Sequence, residues 1–282
     1  MEIVETSAAI SGMGATLGPN VLAACHALFN AEQSALAAQV PVAAAECAYG
    51  PHKRHRLDLY GSGNAAPVVL FVHGGGFVLG DKGGADHWAN AAVGRWAATH
   101  GFIGAVMNYR LAPNHGWPAG GEDVIAAVDW LAANAAIHGG DPLRIVVAGS
   151  SAGAVHIATA LKLQKNLRVR GAVLLSGLYG YTPLDDRDTS YYGPQADYPE
   201  RMPRGAIAAT MLPLLVACAQ FDPPRFQAEF LALMQDRLER HGTMPRAIIA
   251  SGHNHYSLAM HLGTSDQRLG NAIAGFVNDA CA

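Results

Sequence analysis

The feature that most constrains this chain is a serine between two glycines, at the junction of a strand-like and a helix-like segment. Ser151 stands in the middle of residues 149–153, which read Gly-Ser-Ser-Ala-Gly. A continuous apolar run at 145–148 precedes this sequence, and apolar residues at helical spacing follow it. Gly-x-Ser-x-Gly in this context is typical of a sharp turn that pushes the serine oxygen outward, and a side chain at either glycine would crowd the turn. The pattern predicts a nucleophilic serine, and the alternative is a small-residue turn without chemistry.

Short apolar runs alternate with helix-like segments along most of the chain. Strands are predicted at 56–60, 68–72, 102–107, 145–148, 171–176, 212–219 and 247–250. Helices are predicted at 88–99, 121–133, 227–241 and 265–280, and after Ser151. Strands that alternate with helices imply a mostly parallel sheet covered on both faces, so the predicted fold class is α/β.

The organisation of the chain predicts a single domain over residues 1–282, because no repeat or clear linker interrupts it. Residues 1–45 have helical spacing and are expected to be peripheral. Residues 181–205 are rich in Tyr, Asp, Pro and Gly and show little periodicity. A long irregular segment in a compact domain is usually functional or mobile.

Composition excludes several classes of partner. Half of the 282 residues are hydrophobic, the formal net charge is −3, and no basic run exists, so nucleic acid is not an expected partner. The first residues carry acidic side chains and no basic segment before an apolar stretch, which does not resemble a secretory signal. No apolar run approaches the roughly 18–20 residues that span a bilayer. The four cysteines show no paired spacing, so we expect reduced thiols and a cytoplasmic location without membrane attachment.

Residues that suit nucleophilic catalysis follow four of the predicted strands. A His-Gly-Gly-Gly sequence follows 68–72, Ser151 follows 145–148, Asp222 follows 212–219, and two histidines follow 247–250. Ligands of parallel sheets bind beyond the carboxyl ends of the strands, where these residues are expected to meet. The chain order Ser, Asp, His is the order expected of α/β-hydrolases.

Each of these residue types has a defined chemical task. A serine hydroxyl needs a neighbouring base, and histidine suits this because its unperturbed pKa lies near ~6.5. A buried carboxylate fixes the histidine tautomer. The oxyanion of the tetrahedral intermediate needs preorganised N–H donors, and a run of glycines lets the backbone approach the substrate. We assign these donors to the amides of Gly74, Gly75 and Ala152.

The acid and the base each have alternatives. His73, His253 and His255 all lie near strand ends; His73 is expected to brace the glycine loop. The carboxylate is assigned to Asp222, because it directly follows a buried strand and two prolines behind it stiffen the loop. Its rivals lie in the irregular segment and are expected to be solvated: Asp185, Asp186, Asp188 and Asp197.

Metal and cofactor sites are not predicted. His253 and His255 could form part of a zinc site, but no third ligand has convincing spacing and His-Glu-x-x-His is absent. The glycine loop lacks the pattern of a dinucleotide-binding turn, and no phosphate-binding loop of the Gly-x-x-x-x-Gly-Lys type exists.

Several motifs in order resemble those of hormone-sensitive-lipase-type esterases, which have the α/β-hydrolase fold. These motifs are His-Gly-Gly-Gly-Phe at 73–77, Asn-Tyr-Arg-Leu-Ala-Pro at 108–113, Trp-Pro-Ala at 117–119 with Glu-Asp-Val at 122–124, and Gly-x-Ser-x-Gly. The resemblance runs from about residue 46 to the C-terminus. It implies a serine carboxylesterase with oxyanion donors in the His-Gly-Gly-Gly loop, a short N-terminal lid formed by residues 1–45, and a homodimer.

Other sequences resemble the kynurenine-formamidase-like and feruloyl-esterase-like branch of the same fold. They are Leu-Asp-Leu-Tyr at 57–60, Gly-Asp-Lys at 80–82, residues 171–179, and His-Tyr-Ser at 255–257. The last of these favours His255 as the base. Ser150 and Ala154 depart from the Asp and Gly usual in the lipase-like group, which leaves the subfamily and the acyl group open.

The sequence therefore predicts hydrolysis of small or aromatic esters through an acyl-enzyme at Ser151, Asp222 and His255. Phe77, Tyr179 and Tyr181 are the predicted substrate-binding residues, although core packing explains each of them equally well. An arylformamidase with the same triad is the first alternative, and a non-catalytic small-molecule receptor on the same scaffold is the second.

Overall fold

A computed structural model describes residues 3–85, 87–185 and 188–282. Its strands are Val42–Ala48 (β1), Arg56–Tyr60 (β2), Ala66–Val72 (β3), Ile103–Met107 (β4), Gly140–Ser150 (β5), Gly171–Leu175 (β6), Leu214–Phe221 (β7) and Arg246–Asn254 (β8). Within these residues they form one eight-stranded sheet in the order β1-β2-β4-β3-β5-β6-β7-β8. The pairs β1–β2 and β2–β4 are antiparallel, and the other neighbours pair in parallel. The mostly parallel sheet predicted from the alternating pattern is confirmed.

Helices connect the strands and cover both faces of the sheet. They are Ile3–Met13 (α1), Pro19–Gln39 (α2), Trp88–Thr99 (α3), Ala119–Asn134 (α4), Ala152–Leu163 (α5), Thr189–Tyr192 (α6), Tyr198–Arg201 (α7), Arg204–Ala209 (α8), Pro224–His241 (α9), Ser257–Met260 (α10) and Arg268–Ala280 (α11). The segment predicted to be irregular, 181–205, contains the short helices α6 and α7 and the start of α8.

The apolar run in β3 is buried on both faces because successive side chains of a strand point to opposite sides. Leu70 packs into a core cluster with residues of α4, α5 and α9. Its neighbour Phe71 packs into a second cluster with residues of α3 and α11. A strand covered in this way needs apolar residues at every position, which is the pattern that the sequence shows.

Helix α3 lies against the sheet without intervening side chains. A Cβ atom on Gly104 in β4 would be 2.2 Å from the carbonyl oxygen of Gly94 in α3. A Cβ on Gly94 would in turn be 2.4 Å from the ring of Tyr60 in β2. The helix can therefore approach the sheet this closely only because both positions are glycine.

The two N-terminal helices pack beside the segment that follows β8. The Gln33 side-chain amide in α2 donates hydrogen bonds to the carbonyl oxygens of Met260 (2.8 Å) and Leu262 (2.9 Å). The Gly18 amide donates to the Tyr256 hydroxyl at 3.1 Å. The part of the chain that contains Gly18 and α2 thus neighbours the segment of His255. The role of residues 1–45 as a lid stays a prediction.

None of the helices in the described residues combines the length and the apolar character needed to cross a bilayer.

Candidate active site

Ser151 occupies the turn between β5, which ends at Ser150, and α5, which begins at Ala152. Its backbone has φ 54° and ψ −121°. A positive φ is unfavourable for a residue with a side chain, and such conformations persist where the surroundings hold them. Here the Ser151 amide donates a 2.8 Å hydrogen bond to the Leu175 carbonyl at the end of β6. The predicted strand–turn–helix is therefore present, with the serine as its single connecting residue.

The glycines on either side of Ser151 are required by close backbone contacts. A Cβ atom on Gly153 would lie 2.0 Å from the Val72 carbonyl oxygen at the end of β3. A Cβ on Gly149 would lie 2.7 Å from the carbonyl carbon of Gly153. These contacts involve backbone atoms, which cannot rotate away, so a side chain at either position would push α5 off the sheet.

Asp222 and His255 follow β7 and β8 and meet at the carboxyl edge of the sheet. The His255 Nδ1 atom lies 2.7 Å from Asp222 Oδ1. The other carboxylate oxygen, Oδ2, accepts hydrogen bonds from the Ser176 hydroxyl (2.5 Å) and the Ala219 amide (2.6 Å). An acceptor at Nδ1 holds the proton on that nitrogen and leaves Nε2 able to accept one, which is the arrangement that a general base needs.

The other two candidate histidines have different partners. His73 is fully buried, and its Nδ1 donates to the Gly74 carbonyl oxygen at 2.6 Å. Burial lowers the pKa of His73 to about 4, which keeps the ring neutral. His253 lies 3.1 Å from the Ser257 hydroxyl through Nδ1 and 3.2 Å from Asp266 through Nε2. Of the three histidines, His255 is the one that contacts Asp222.

The described aspartates of the irregular segment, which were the alternatives to Asp222, form ion pairs with arginines. Asp185 and Asp188 pair with Arg225, at 3.2 and 2.8 Å. Asp197 pairs with Arg201 one helical turn away. Asp186 lies outside the described residues.

The glycine loop after β3 lies directly against Ser151. A Cβ on Gly74 would be 3.2 Å from the Ser151 Cβ. Gly75 has φ +130°, and a Cβ there would be 2.0 Å from the Leu79 carbonyl oxygen, so only glycine fits. Ala152 is the first residue of α5, where amide groups have no partner within the helix. The roles of the Gly74, Gly75 and Ala152 amides as oxyanion donors stay a prediction of the sequence.

The three predicted substrate-binding residues have different surroundings. The Phe77 ring stacks on Tyr191 with centroids 4.2 Å apart, in a cluster that includes Ala152. Tyr179 is buried in the main core. Tyr181 donates its hydroxyl proton to Asp236 of α9 at 2.7 Å. Phe77 is therefore the one that shares a cluster with a candidate oxyanion donor, and contact of Tyr179 or Tyr181 with substrate stays a prediction of the sequence.

Ser176 is a site residue that the sequence analysis did not identify. It lies one residue beyond the end of β6, is buried, and has φ 48°. Its hydroxyl contacts Asp222, which fixes the carboxylate from the side opposite His255. The sequence feature that could have identified Ser176 is its position at the end of a buried strand, which is also the feature that identified Asp222.

Two esterases of Mycobacterium tuberculosis are similar to part of this chain. Carboxylesterase NlhH of Mycobacterium tuberculosis is 42% identical over 135 residues, which cover 47% of this chain and 40% of that protein. Esterase LipI of the same species is 48% identical over 89 residues, covering 31% of this chain and 26% of that protein. The chain thus spans less than half the length of these curated relatives.

Solved structures match over nearly the whole chain. An esterase of Pyrobaculum calidifontis has a TM-score of 0.69 at 25% identity, with 93% of this chain and 94% of that chain covered. The structure of esterase Est22 has a TM-score of 0.72 at 20% identity, with 96% and 95% covered, and at this identity it shows the fold alone.

Residues 69–252, more than half of the chain, match the sequence model of the α/β-hydrolase fold family. This region includes the glycine loop, the serine turn and Asp222. The chain belongs to the α/β-hydrolase fold family.

Proposed function

We propose that this protein is a serine carboxylic-ester hydrolase that works through an acyl-enzyme. The observation that carries the proposal is the 2.7 Å contact between His255 and Asp222 at the sheet edge where Ser151 forms its turn. A tautomer-fixed histidine and a serine with a strained backbone at the same sheet edge are the components of a nucleophile with its base.

In the proposed reaction, Ser151 Oγ attacks the ester carbonyl while His255 Nε2 takes its proton. The oxyanion that forms is stabilised by the amides of Gly74, Gly75 and Ala152. His255 then gives the proton to the leaving alcohol, and the acyl group remains on Ser151. A water molecule, deprotonated by His255, releases the acid through a second oxyanion. Each oxyanion donor is worth about 3–4 kcal/mol of transition-state stabilisation.

The relatives support an ester as the bond that is cleaved, since NlhH is named a carboxylesterase and LipI an esterase. We propose small or aromatic esters as the substrate class. The apolar cluster of Phe77, Tyr191 and Ala152 supports an apolar lining next to a candidate oxyanion donor. Helices α1 and α2 would cover the site and limit the length of the acyl group. The hydrogen bond from the Gly18 amide, between these helices, to the hydroxyl of Tyr256 supports this position.

The test is hydrolysis of p-nitrophenyl esters from acetate to decanoate by the protein and by Ser151→Ala. We expect turnover that is highest for short chains and that disappears in Ser151→Ala. Ser150→Ala is the matched control, because it removes the neighbouring serine, which is buried at the end of β5, and it should retain turnover. Full activity of Ser151→Ala would contradict the proposal.

The second candidate is an arylformamidase that uses the same residues. The sequence His-Tyr-Ser at 255–257 favours it, because it resembles the formamidase-like branch. The kcat/KM for an aryl formamide and for p-nitrophenyl acetate, measured on one preparation, decides between the two. A higher value for the formamide that is also lost in Ser151→Ala would identify this alternative.

We also propose a cytoplasmic location and a homodimer. All four cysteines are free thiols, which supports a reducing compartment. Cell fractionation and light scattering of the purified protein test these two proposals.

A further inference from the structure

A second cluster of ionisable side chains lies beside the loop that carries His255. The rings of His253 and His261 stack with centroids 3.8 Å apart, and Asp266 lies next to them. All three residues are buried, and one ligand atom from each lies within 4.8 Å of those of the other two. The proposed ester hydrolysis uses none of them.

His261 carries a lone pair that the described residues leave unused. Its Nδ1 is 2.8 Å from the Ser257 carbonyl oxygen, which can only accept, so Nδ1 carries the proton. Its Nε2 is fully buried and has no hydrogen-bond partner among the described residues. A buried nitrogen with a free lone pair is an available metal ligand.

His253 can present its Nε2 in the same way at the cost of one hydrogen bond, the 3.2 Å contact from Nε2 to Asp266 Oδ2, which binding of a metal between the two atoms replaces. If its proton is on Nδ1, it donates to the Ser257 hydroxyl at 3.1 Å, and that hydroxyl donates to the Asn254 carbonyl oxygen at 3.2 Å. Ser257 then orients both imidazoles, one through its hydroxyl and one through its carbonyl. Metal-binding histidines almost always donate the second ring proton in this manner.

Asp266 has one oxygen that can turn to a metal while the other keeps its partners. Oδ1 accepts from the Arg268 side chain (Nε, 2.9 Å) and from the Arg268 backbone amide (3.2 Å). Oδ2 lies 3.2 Å from His253 Nε2. Two ligands at about 2.1 Å from a tetrahedral zinc are about 3.4 Å apart, so this spacing is close to that of a ligand pair.

We propose that His253, His261 and Asp266 bind a divalent transition-metal ion such as Zn²⁺. Two nitrogen ligands and one carboxylate are a donor set that suits zinc. Binding splays the two stacked rings so that their lone pairs converge. It also moves the Nη2 atom of Arg268, whose side chain is half exposed, off Asp266 Oδ2. The sequence gives no sign of a third ligand near His253 and His255, because His261 and Asp266 come from the turn after α10.

The test is Co²⁺ titration of the full-length protein after chelator treatment, followed by the visible absorption of bound Co²⁺. We expect one Co²⁺ per chain in a low-symmetry, intense spectrum that Zn²⁺ abolishes, and a higher melting temperature with Zn²⁺. His261→Gln should lose the absorption. His87→Gln is the matched control, because His87 and His26 form a stacked pair near the surface that could bind metal adventitiously.

A second variant tests the site without replacing any of the three buried ligands. Arg268→Gln removes the positive charge that competes for Asp266 and should tighten Co²⁺ binding at least several-fold. Absence of Co²⁺ absorption in the unmodified protein would overturn the proposal. So would an unchanged spectrum in His261→Gln, loss of the spectrum in His87→Gln, or weaker binding by Arg268→Gln.

Discussion

At the scale of single residues, the Asp222 carboxylate organises the candidate site. It is fully buried and accepts three hydrogen bonds, from His255, from Ser176 and from the Ala219 amide. Because one of these donors is backbone, the carboxylate is fixed to β7 itself. The orientation of the His255 ring is therefore set by the sheet through a single side chain.

Replacing Asp222 by Asn is expected to lower kcat about 10³–10⁴-fold with little change in KM, as loss of the tautomer-fixing carboxylate does in other triads. An amide can turn its oxygen toward His255 or toward the two donors on the other side, but not toward both. In either orientation an NH₂ group meets a donor. The measurement is steady-state kinetics on p-nitrophenyl acetate, with circular dichroism as the control for folding. A kcat within tenfold of the unmodified protein would remove Asp222 from the proposed triad.

Ser176→Ala should have a smaller effect of the same kind. The Ser176 hydroxyl donates to a charged acceptor, and such hydrogen bonds contribute about 1.5–3 kcal/mol. Only part of this hydrogen-bond energy affects kcat, because Ala219 and His255 still hold the carboxylate. We expect kcat to fall roughly tenfold, equivalent to about 1.4 kcal/mol, with KM unchanged. Equal kcat values for the variant and the unmodified protein would show that Ser176 does not position Asp222.

At the scale of secondary-structure elements, periodicity predicted the elements whose burial follows a repeating pattern. The prediction of 88–99 coincides with α3, and that of 68–72 lies within β3. β5 starts earlier than predicted, at Gly140, because Gly140 pairs with Ala66 through the backbone, a contact that needs no apolar side chain. Elements held by backbone pairing alone leave no signal in the sequence.

The short helices between β6 and β7 could not be predicted from periodicity either, because tertiary contacts stabilise them. Tyr191 and Tyr192 of α6 are buried against Phe77, and Arg201 of α7 bonds the Tyr192 carbonyl. The residues that stabilise these helices are thus distant in the sequence or lie in the neighbouring short helix. The pairing of His253 with Asp266 escaped prediction for the same reason. Asp222 was predictable because it directly follows a strand, and His255 because the sequence His-Tyr-Ser at 255–257 resembles that of a related branch.

The close contact between α3 and β4 predicts the effect of adding one methyl group there. Gly104→Ala would place a Cβ 2.2 Å from the backbone of Gly94, which cannot move without shifting the helix. Such overpacking typically costs about 1–3 kcal/mol and sometimes more. The free energy of unfolding from urea denaturation measures it.

The matched control for this substitution is Gly275→Ala in α11. A Cβ at Gly275 would have no atom within 4 Å, so the helix should gain stability by about 0.5–1 kcal/mol. Equal stability changes in the two variants would mean that the α3–β4 contact is looser than the structure indicates.

At the scale of the whole molecule, four of the six buried histidines among the described residues lie in three regions of the fold. His73 follows β3, His156 lies in α5, and His253 and His261 lie at and after the end of β8. Burial lowers the pKa of His73 to about 4 and, together with the nearby His73, that of His156 to about 3. Burial also lowers the pKa values of His253 and His261. The native state therefore resists protonation at these four rings, although the unfolded chain does not.

This difference predicts that the protein loses stability on mild acidification. In the unfolded chain each imidazole takes up a proton near ~6.5. Stability from these groups is complete above that pH and declines as the pH falls toward about 4, because the unfolded state then binds more protons than the native state. Each such proton changes the free energy of unfolding by up to about 1.4 kcal/mol per pH unit, so the loss between about pH 6.5 and 5 amounts to several kcal/mol. Most carboxyl groups titrate below this range, which separates the two effects.

Urea unfolding at about pH 7.5, 6.5, 5.5 and 5 measures the slope, and the slope divided by ~1.4 kcal/mol gives the number of protons taken up on unfolding. His156→Gln should reduce that number by about one. It retains a group that can bond the Tyr191 hydroxyl, which lies 3.2 Å from His156 Nδ1. A flat profile between about pH 6.5 and 5 would mean that the native protein accepts these protons as readily as the unfolded chain. The buried rings would then open to water without global unfolding, and the sheet edge that carries His255 would be far less rigid than its hydrogen bonds imply.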